Sequence, residues 1–398
     1  MACYNEGLNG GVVCGQAFQG RLMGSPHVCG VTAMTNGQQV SRRRFLKAGG
    51  ALAGMLAFAE APQVLIAGKA KDKPVIIGEG GYRYRWVDNW ARLPAQRKFG
   101  YTHSIVQVAD GRFFVHHTGY DSTAIFDPTG RFIEAWGGSK YVGNAHGMDL
   151  RVEHSQEVLY LAPTFMHKFF KTDLKGNVLM ELNYPKLCRN RRGQRVYADA
   201  KRYNPTFTAF APNGDFYITD GYGLGWIHHY DIQGKYLQSF GGAGNAPDQE
   251  NCPHGIFCDT RNPHKPMLVV ADRAHHRLQY FTFDGKLDHL VTNATPQQNQ
   301  DGTGKLRLPC QFSQRGQWML IPDLAGRTTL LDGANNVLAQ LGDNPNVRQR
   351  ANPHVPQNQL VPGRFCCPHG SCWDRHGNAY VVEWLPYGRV TKLEPIAT

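Results

Sequence analysis

The chain has 398 residues, 41% of them hydrophobic and 19% charged, which fits a globular protein of one large domain or two ordinary ones. Its 45 glycines and 23 prolines call for many turns, as in all-β folds. The net charge of +12 would suit nucleic acid or an acidic surface, but the positive residues are scattered except for Lys186, Arg189, Arg191, Arg192, Arg195, Lys201 and Arg202. No nucleic-acid motif accompanies that stretch, so it reads as a solvated loop that could meet an anionic substrate, and nucleic acid is excluded as a partner.

In chain order, residues 1–33 come first: glycine-rich, with Cys3, Cys14 and Cys29 in no periodic pattern. They read as a spurious or disordered extension ahead of Met34. Residues 34–61 then hold Ser41-Arg42-Arg43-Arg44-Phe45-Leu46-Lys47, an apolar run from Ala48 to Ala59, and Ala59-Glu60-Ala61 as a small-x-small cleavage site. Charged, apolar and cleavage regions in that order are the pattern of a twin-arginine export signal. The apolar run is too short for a comfortable membrane span. The reading is therefore a periplasmic or secreted monomer, exported by the twin-arginine machinery, with no stable membrane anchor. A chance arginine run before a core helix is the plainer alternative. Residues 62–80 read as a linker and 81–398 as the folded domain.

That domain repeats a unit. In blade four it runs Pro253-His254-Gly255-Ile256-Phe257, then Leu268-Val269-Val270-Ala271-Asp272-Arg273, then Arg277-Leu278-Gln279-Tyr280-Phe281, then the turn Asp284-Gly285. Short β-rich runs between polar turns are the strands of a propeller blade. Equivalent units start at His103, His146, Thr206, His254, Cys310 and His369. They predict an all-β fold, a six-bladed β-propeller of the NHL-repeat type. Amphipathic helices of the kind a Rossmann or TIM fold needs are missing from the pattern.

The first strand of a blade lines the central channel, and His146, His254 and His369 occupy matched positions on blades two, four and six. Equivalent positions on alternate blades are a third of a turn apart, so three imidazoles can meet at one axial spot and leave an outer position open. That is the pattern of a catalytic zinc, with Zn2+ or another divalent transition metal as the expected cofactor. Each histidine precedes a glycine, which would let backbones crowd near the axis. For any one of these histidines a packed or solvated side chain is the plain alternative; the matched triplet argues for metal.

These residues resemble the lyase domain of peptidylglycine-amidating enzymes, peptidylamidoglycolate lyase. The likeness spans most of residues 95–395 and is strongest at Pro205-Thr206 with Thr219-Asp220-Gly221-Tyr222, and at Pro253-His254 with Val270-Ala271-Asp272-Arg273. It implies an axial zinc on His146, His254 and His369, a catalytic Tyr222 and an active-site Arg273. A second family arginine is replaced by His117, after His116. The family's aspartate tied to a structural Ca2+ is replaced by Gly370, and its methionine before the third ligand by Cys367. The implied reaction is cleavage of an α-hydroxyglycine-type C–N bond in a small-molecule or peptide substrate, giving an amide and glyoxylate. Tyr222 would be the base, Arg273 the anion holder, and His116 or His117 the replacement for the missing arginine. On sequence alone Tyr222 is equally a turn residue and Arg273 an inter-blade ion pair. A metal-dependent hydrolase or lactonase, and a recognition propeller with a structural metal, remain alternatives.

Asp220, Asp272 and Asp323 recur after the second strand and read as repeat structure that hydrogen-bonds backbone between blades. His228-His229 and His275-His276 read as surface. Of the ten cysteines, seven lie in the propeller, at 188, 252, 258, 310, 366, 367 and 372. An exported setting permits disulfides, so a mixture of disulfide staples and small buried residues is expected, with a soft-metal or redox site as a third reading.

Overall fold

The second strand of blade four, Met267–Asp272, is apolar along nearly its whole length because both of its faces are buried. Met267, Val269 and Ala271 pack in the cluster shared with blade five, and Leu268 and Val270 in the one shared with blade three. Blade five repeats this: Met319 and Ile321 face blade four, Leu320 faces blade six. Alternation along a strand thus serves two wedges. A separate apolar cluster fills each of the six wedges between neighbouring blades. Each fully buried aliphatic or aromatic side chain contributes about 1.5–3 kcal/mol.

The computed structural model describes residues 73–396. The N-terminal extension and the twin-arginine segment lie outside the described residues. Six antiparallel sheets form a six-bladed β-propeller. Their innermost strands are Thr102–Gln107, Gly147–Glu153, Thr208–Phe210, Pro253–Asp259, Ser313–Arg315 and Pro368–Trp373. Among the described residues no helix is long and apolar enough to cross a membrane.

Ring closure involves the N-terminal part of the domain. Tyr84–Val87 pairs antiparallel with Arg389–Pro395, so it completes blade six as its fourth strand. Ile76–Ile77, inside the stretch read as a linker, adds a fifth. Trp86 packs on Phe365 with ring centroids 4.6 Å apart, and Trp90 on Tyr380 at 4.7 Å, sealing the joint.

Two recurrent carboxylates shape most of the blades. At the outer hairpin of blades one, two, three and five, Asp127, Asp173, Asp231 and Asp332 accept backbone N–H bonds from the residues two and four further on, the Asx turn that the turn signals predicted, and Asp374 does the same between the first two strands of blade six. At the end of the second strand, Asp272 accepts from Asn251 N (2.7 Å), Asp220 from Asn204 N (2.6 Å), Asp323 from Arg307 N (2.8 Å) and Glu383 from Cys366 N (2.7 Å). Each donor belongs to the segment entering the same blade. These carboxylates therefore anchor the approach to the inner strand within a blade, and the expectation of bonds between blades is corrected.

Candidate metal centre

The imidazoles reach the axis through a local irregularity. In blade four the register shifts between Pro253 and Gly255, so His254 is an extra residue opposite the second strand. The same shift places His369 between Pro368 and Gly370, and His103 between Thr102 and Ser104. Such bulges re-aim a side chain that a regular ladder would hold elsewhere. His146 directly precedes its strand, whose ladder begins at Gly147.

Each imidazole is then locked by the following blade. His146 Nδ1 donates to the Thr206 carbonyl (3.1 Å), His254 Nδ1 to the Cys310 carbonyl (2.8 Å) and His369 Nδ1 to the His103 carbonyl (3.0 Å). A carbonyl can only accept, so Nδ1 carries the proton and Nε2 keeps its lone pair. The glycines after the histidines exist for these carbonyls. A Cβ on Gly147 would lie 2.0 Å from Thr206 O, on Gly255 2.3 Å from Cys310 O, and on Gly370 2.3 Å from His103 O.

The rings of His146, His254 and His369 form a near-equilateral triangle, with centroids 4.9, 4.8 and 4.7 Å apart. All three are buried. Burial pushes the His369 pKa down to about 3 and those of His146 and His254 well below the ordinary value, with His103 and His369 adding to the first and Arg273 to the second. Neutral imidazole is the form that binds a metal. His369 Nε2 is buried with no hydrogen-bond partner, an arrangement that costs about 1–3 kcal/mol unless something takes the lone pair. These buried, neutral imidazoles could therefore hold a metal ion.

Tyr222 stands on this triangle. Its Oη lies 3.0 Å from His254 Nε2 and 3.4 Å from His146 Nε2. Asn204 Nδ2 donates to its carbonyl at 3.1 Å, fixing the turn after the strand Phe216–Thr219. Both terminal nitrogens of Arg273 lie 3.3 Å from Tyr222 Oη, and the guanidinium carbon is 5.2 Å from the tyrosine ring centre. Arg273 is itself buried.

The chain is similar to amidating enzymes. It is 27% identical to the peptidylglycine α-amidating monooxygenase of Rattus norvegicus over 174 residues, and 26% identical to that of Mus musculus. The match covers 42% of this chain and 16% of either relative, so the chain spans well under two thirds of the curated relatives it matches. Among solved structures, a streptogramin B lyase superposes with a TM-score of 0.51 at 15% identity, covering 78% of this chain and 97% of that one. A gluconolactonase from Xanthomonas campestris gives 0.51 at 13% identity, covering 78% and 89%. These two share the fold. No family model matches the chain. The relatives are enzymes, and buried His and Cys groups in this chain could bind a metal.

The structure thus gathers His146, His254, His369, Tyr222 and Arg273 at the axis. It also brings two residues not chosen as ligands from the sequence: the ligand atoms of His103, His146 and His369 lie within 4.8 Å of one another, as do those of His254, Cys310 and His369. Their shared axial position in the repeat was the available signal.

His117 has a different task from the arginine replacement expected of it. Its Nδ1 accepts from Gly100 N (3.3 Å) and Gly119 N (3.0 Å). It pairs with Thr102 as Asp272 pairs with Pro253, so it is the anchor of blade one, standing where blades three to six hold a carboxylate. His116 turns away and bonds Thr123 Oγ1 at 2.8 Å. His228, expected at the surface, is buried and bonded to the Tyr197 hydroxyl (2.9 Å) and Ser239 Oγ (2.7 Å). His229 is buried too, against Asp215 at 2.8 Å, and His275 is held by Asp272 at 2.6 Å. The basic stretch is solvated only in part, since Cys188 and Tyr197 are buried with Tyr203 in a small core of their own. Among the described residues no disulfide forms; the seven propeller cysteines serve as small, mostly buried residues.

Proposed function

We propose that this propeller is a metal-dependent lyase that cleaves an α-hydroxyglycine-type C–N bond to an amide and glyoxylate, with the metal on His146, His254 and His369. Zn2+ is the first choice, and another divalent transition metal would serve. The observation that carries the reading is Tyr222 Oη, placed between two of those Nε2 atoms and under two Arg273 N–H groups.

When bound, the metal would supply Lewis acidity to a substrate oxygen. The chain's own residues do the rest. With the site unloaded, Tyr222 donates its proton to the His254 lone pair that a metal would take, so loading the site frees Oη from that bond. The freed hydroxyl loses its proton to solvent, and Arg273 is placed to stabilise the resulting phenolate, which is the general base. Tyr222 removes the proton of the substrate hydroxyl. The O–H electron pair becomes the C=O bond of the aldehyde acid, the C–N bond breaks, and the same proton returns to the departing amide nitrogen. The step is redox-neutral and needs no co-reactant. Arg273 also holds the substrate carboxylate, without help from His117, whose Nδ1 is committed to backbone.

The test is glyoxylate release from an α-hydroxyglycine peptide by metal-loaded protein, beside Tyr222→Phe of verified metal content. The variant should lose about 10²–10⁴-fold in kcat. Full turnover by Tyr222→Phe would end the base assignment. A loaded protein that opens lactones but releases no glyoxylate would move the function to the hydrolase class.

A further inference from the structure

His103 is the fourth imidazole on the axis, and nothing in the three-histidine centre uses its side chain. Its backbone carbonyl receives the proton of His369 Nδ1, a duty that Thr206 and Cys310 perform for the other two histidines without any imidazole. A histidine is not required for that role. Yet the His103 ring lies 4.6 Å from that of His146 and 4.7 Å from that of His369, centroid to centroid, as close as the three proposed ligands are to each other. It is 5% exposed. Its Nδ1 donates to the Tyr101 carbonyl at 3.1 Å, which leaves Nε2 as the ligand atom, the same tautomer as in the other three. Burial holds the ring neutral, as ligation requires. The second observation is the orphaned, buried Nε2 of His369, the one residue common to the two groups His103, His146, His369 and His254, Cys310, His369.

We propose that His103 is a fourth metal-ligating residue, so that this chain holds its divalent metal with four histidines from blades one, two, four and six. The inference rests on the axial metal reading above and deepens it. Cys310, the other additional candidate, is less suited: its thiol donates to the Leu308 carbonyl at 3.5 Å, burial pushes it up to about 11, and Arg273 already sits 3.9 Å from the sulfur. An all-imidazole set with one more nitrogen than the usual catalytic zinc site favours a metal that accepts a higher coordination number.

His103→Asn separates the possibilities, because an asparagine amide can still donate to the Tyr101 carbonyl while the ligand nitrogen is gone. Protein stripped of metal is titrated with Co2+, following affinity and visible absorption, with circular dichroism as the check on folding. Wild type should bind one equivalent. His103→Asn should bind one equivalent about 10–100-fold more weakly and with more intense d–d bands, as expected when the coordination number falls. An unchanged spectrum and affinity in His103→Asn, with binding abolished in His254→Ala, would overturn the fourth ligand and leave the three-histidine centre standing. Absence of Co2+ binding by wild type, or its survival in His254→Ala, would overturn both. A sulfur-to-cobalt charge-transfer band would make Cys310 the fourth ligand instead of His103.

Discussion

Even and odd blades contribute different chemistry from the same position. On blades two, four and six the axial residue is a histidine followed by glycine, and it gives its side chain to the axis. On blades one, three and five it is His103, Thr206 or Cys310, and it gives a backbone carbonyl that fixes the preceding histidine. One repeat thus yields ligands and ligand holders in alternation. The side chain should matter on even blades and the backbone on odd ones, with His103 the one odd-blade residue that does both.

The largest test of that contrast is His254→Ala, or His146→Ala. Either should bring bound metal from about one equivalent to near none, measured by elemental analysis, whereas Thr206→Val should keep full stoichiometry. Next comes the glycine. Gly255→Ala forces a Cβ against the Cys310 carbonyl, backbone on backbone, and should cost about 3 kcal/mol in urea unfolding as well as weakening metal binding.

Acid titration gives an intermediate effect. Burial holds His369, on an even blade, and His116 and His228, on odd blades, at about 3. Unfolded histidine titrates near 6.5. Their folded pKa values are depressed, so the stability they contribute is full above about 6.5 and is lost as pH falls toward 3. By pH 5 each should cost about 2 kcal/mol. Because these histidines stay unprotonated in the folded protein at pH 5, the loss comes from proton uptake by the unfolded chain, so saturating metal should raise the urea midpoint at pH 7 and pH 5 alike and leave the fall between them unchanged. The smallest effect is Ser104→Ala. It removes the hydroxyl that donates to the His146 carbonyl at 3.0 Å and should cost about 1 kcal/mol, with metal retained.

The blades were legible because a two-residue alternation and the Asp-Gly turns are local properties of the chain. The axial histidines were legible because a repeat puts equivalent residues in register. What locks them was not. Bulges at His103, His254 and His369, and the carbonyls that accept from Nδ1, depend on how neighbouring blades meet. For His117, the resemblance matches it to one arginine, while its alignment with Asp220, Asp272, Asp323 and Glu383 within the chain gives it the anchor position that its bonds to Gly100 N and Gly119 N occupy. His228 reads as an outer-strand surface residue because its burial comes from Tyr197, contributed by the long insertion before blade three. The strand Tyr84–Val87 carries no signal of its partner, which lies at the other end of the domain.

That closing strand has a consequence for the centre. The bond from His369 Nδ1 to the His103 carbonyl crosses the joint between blades six and one, where Trp90, just after that strand, packs on Phe113 and Tyr380. A cation held there would act as a keystone. By mass action it would bind only the closed ring, and its dissociation would be linked to any opening of the seam, so saturating metal should slow both fraying of the terminal strands and their proteolysis.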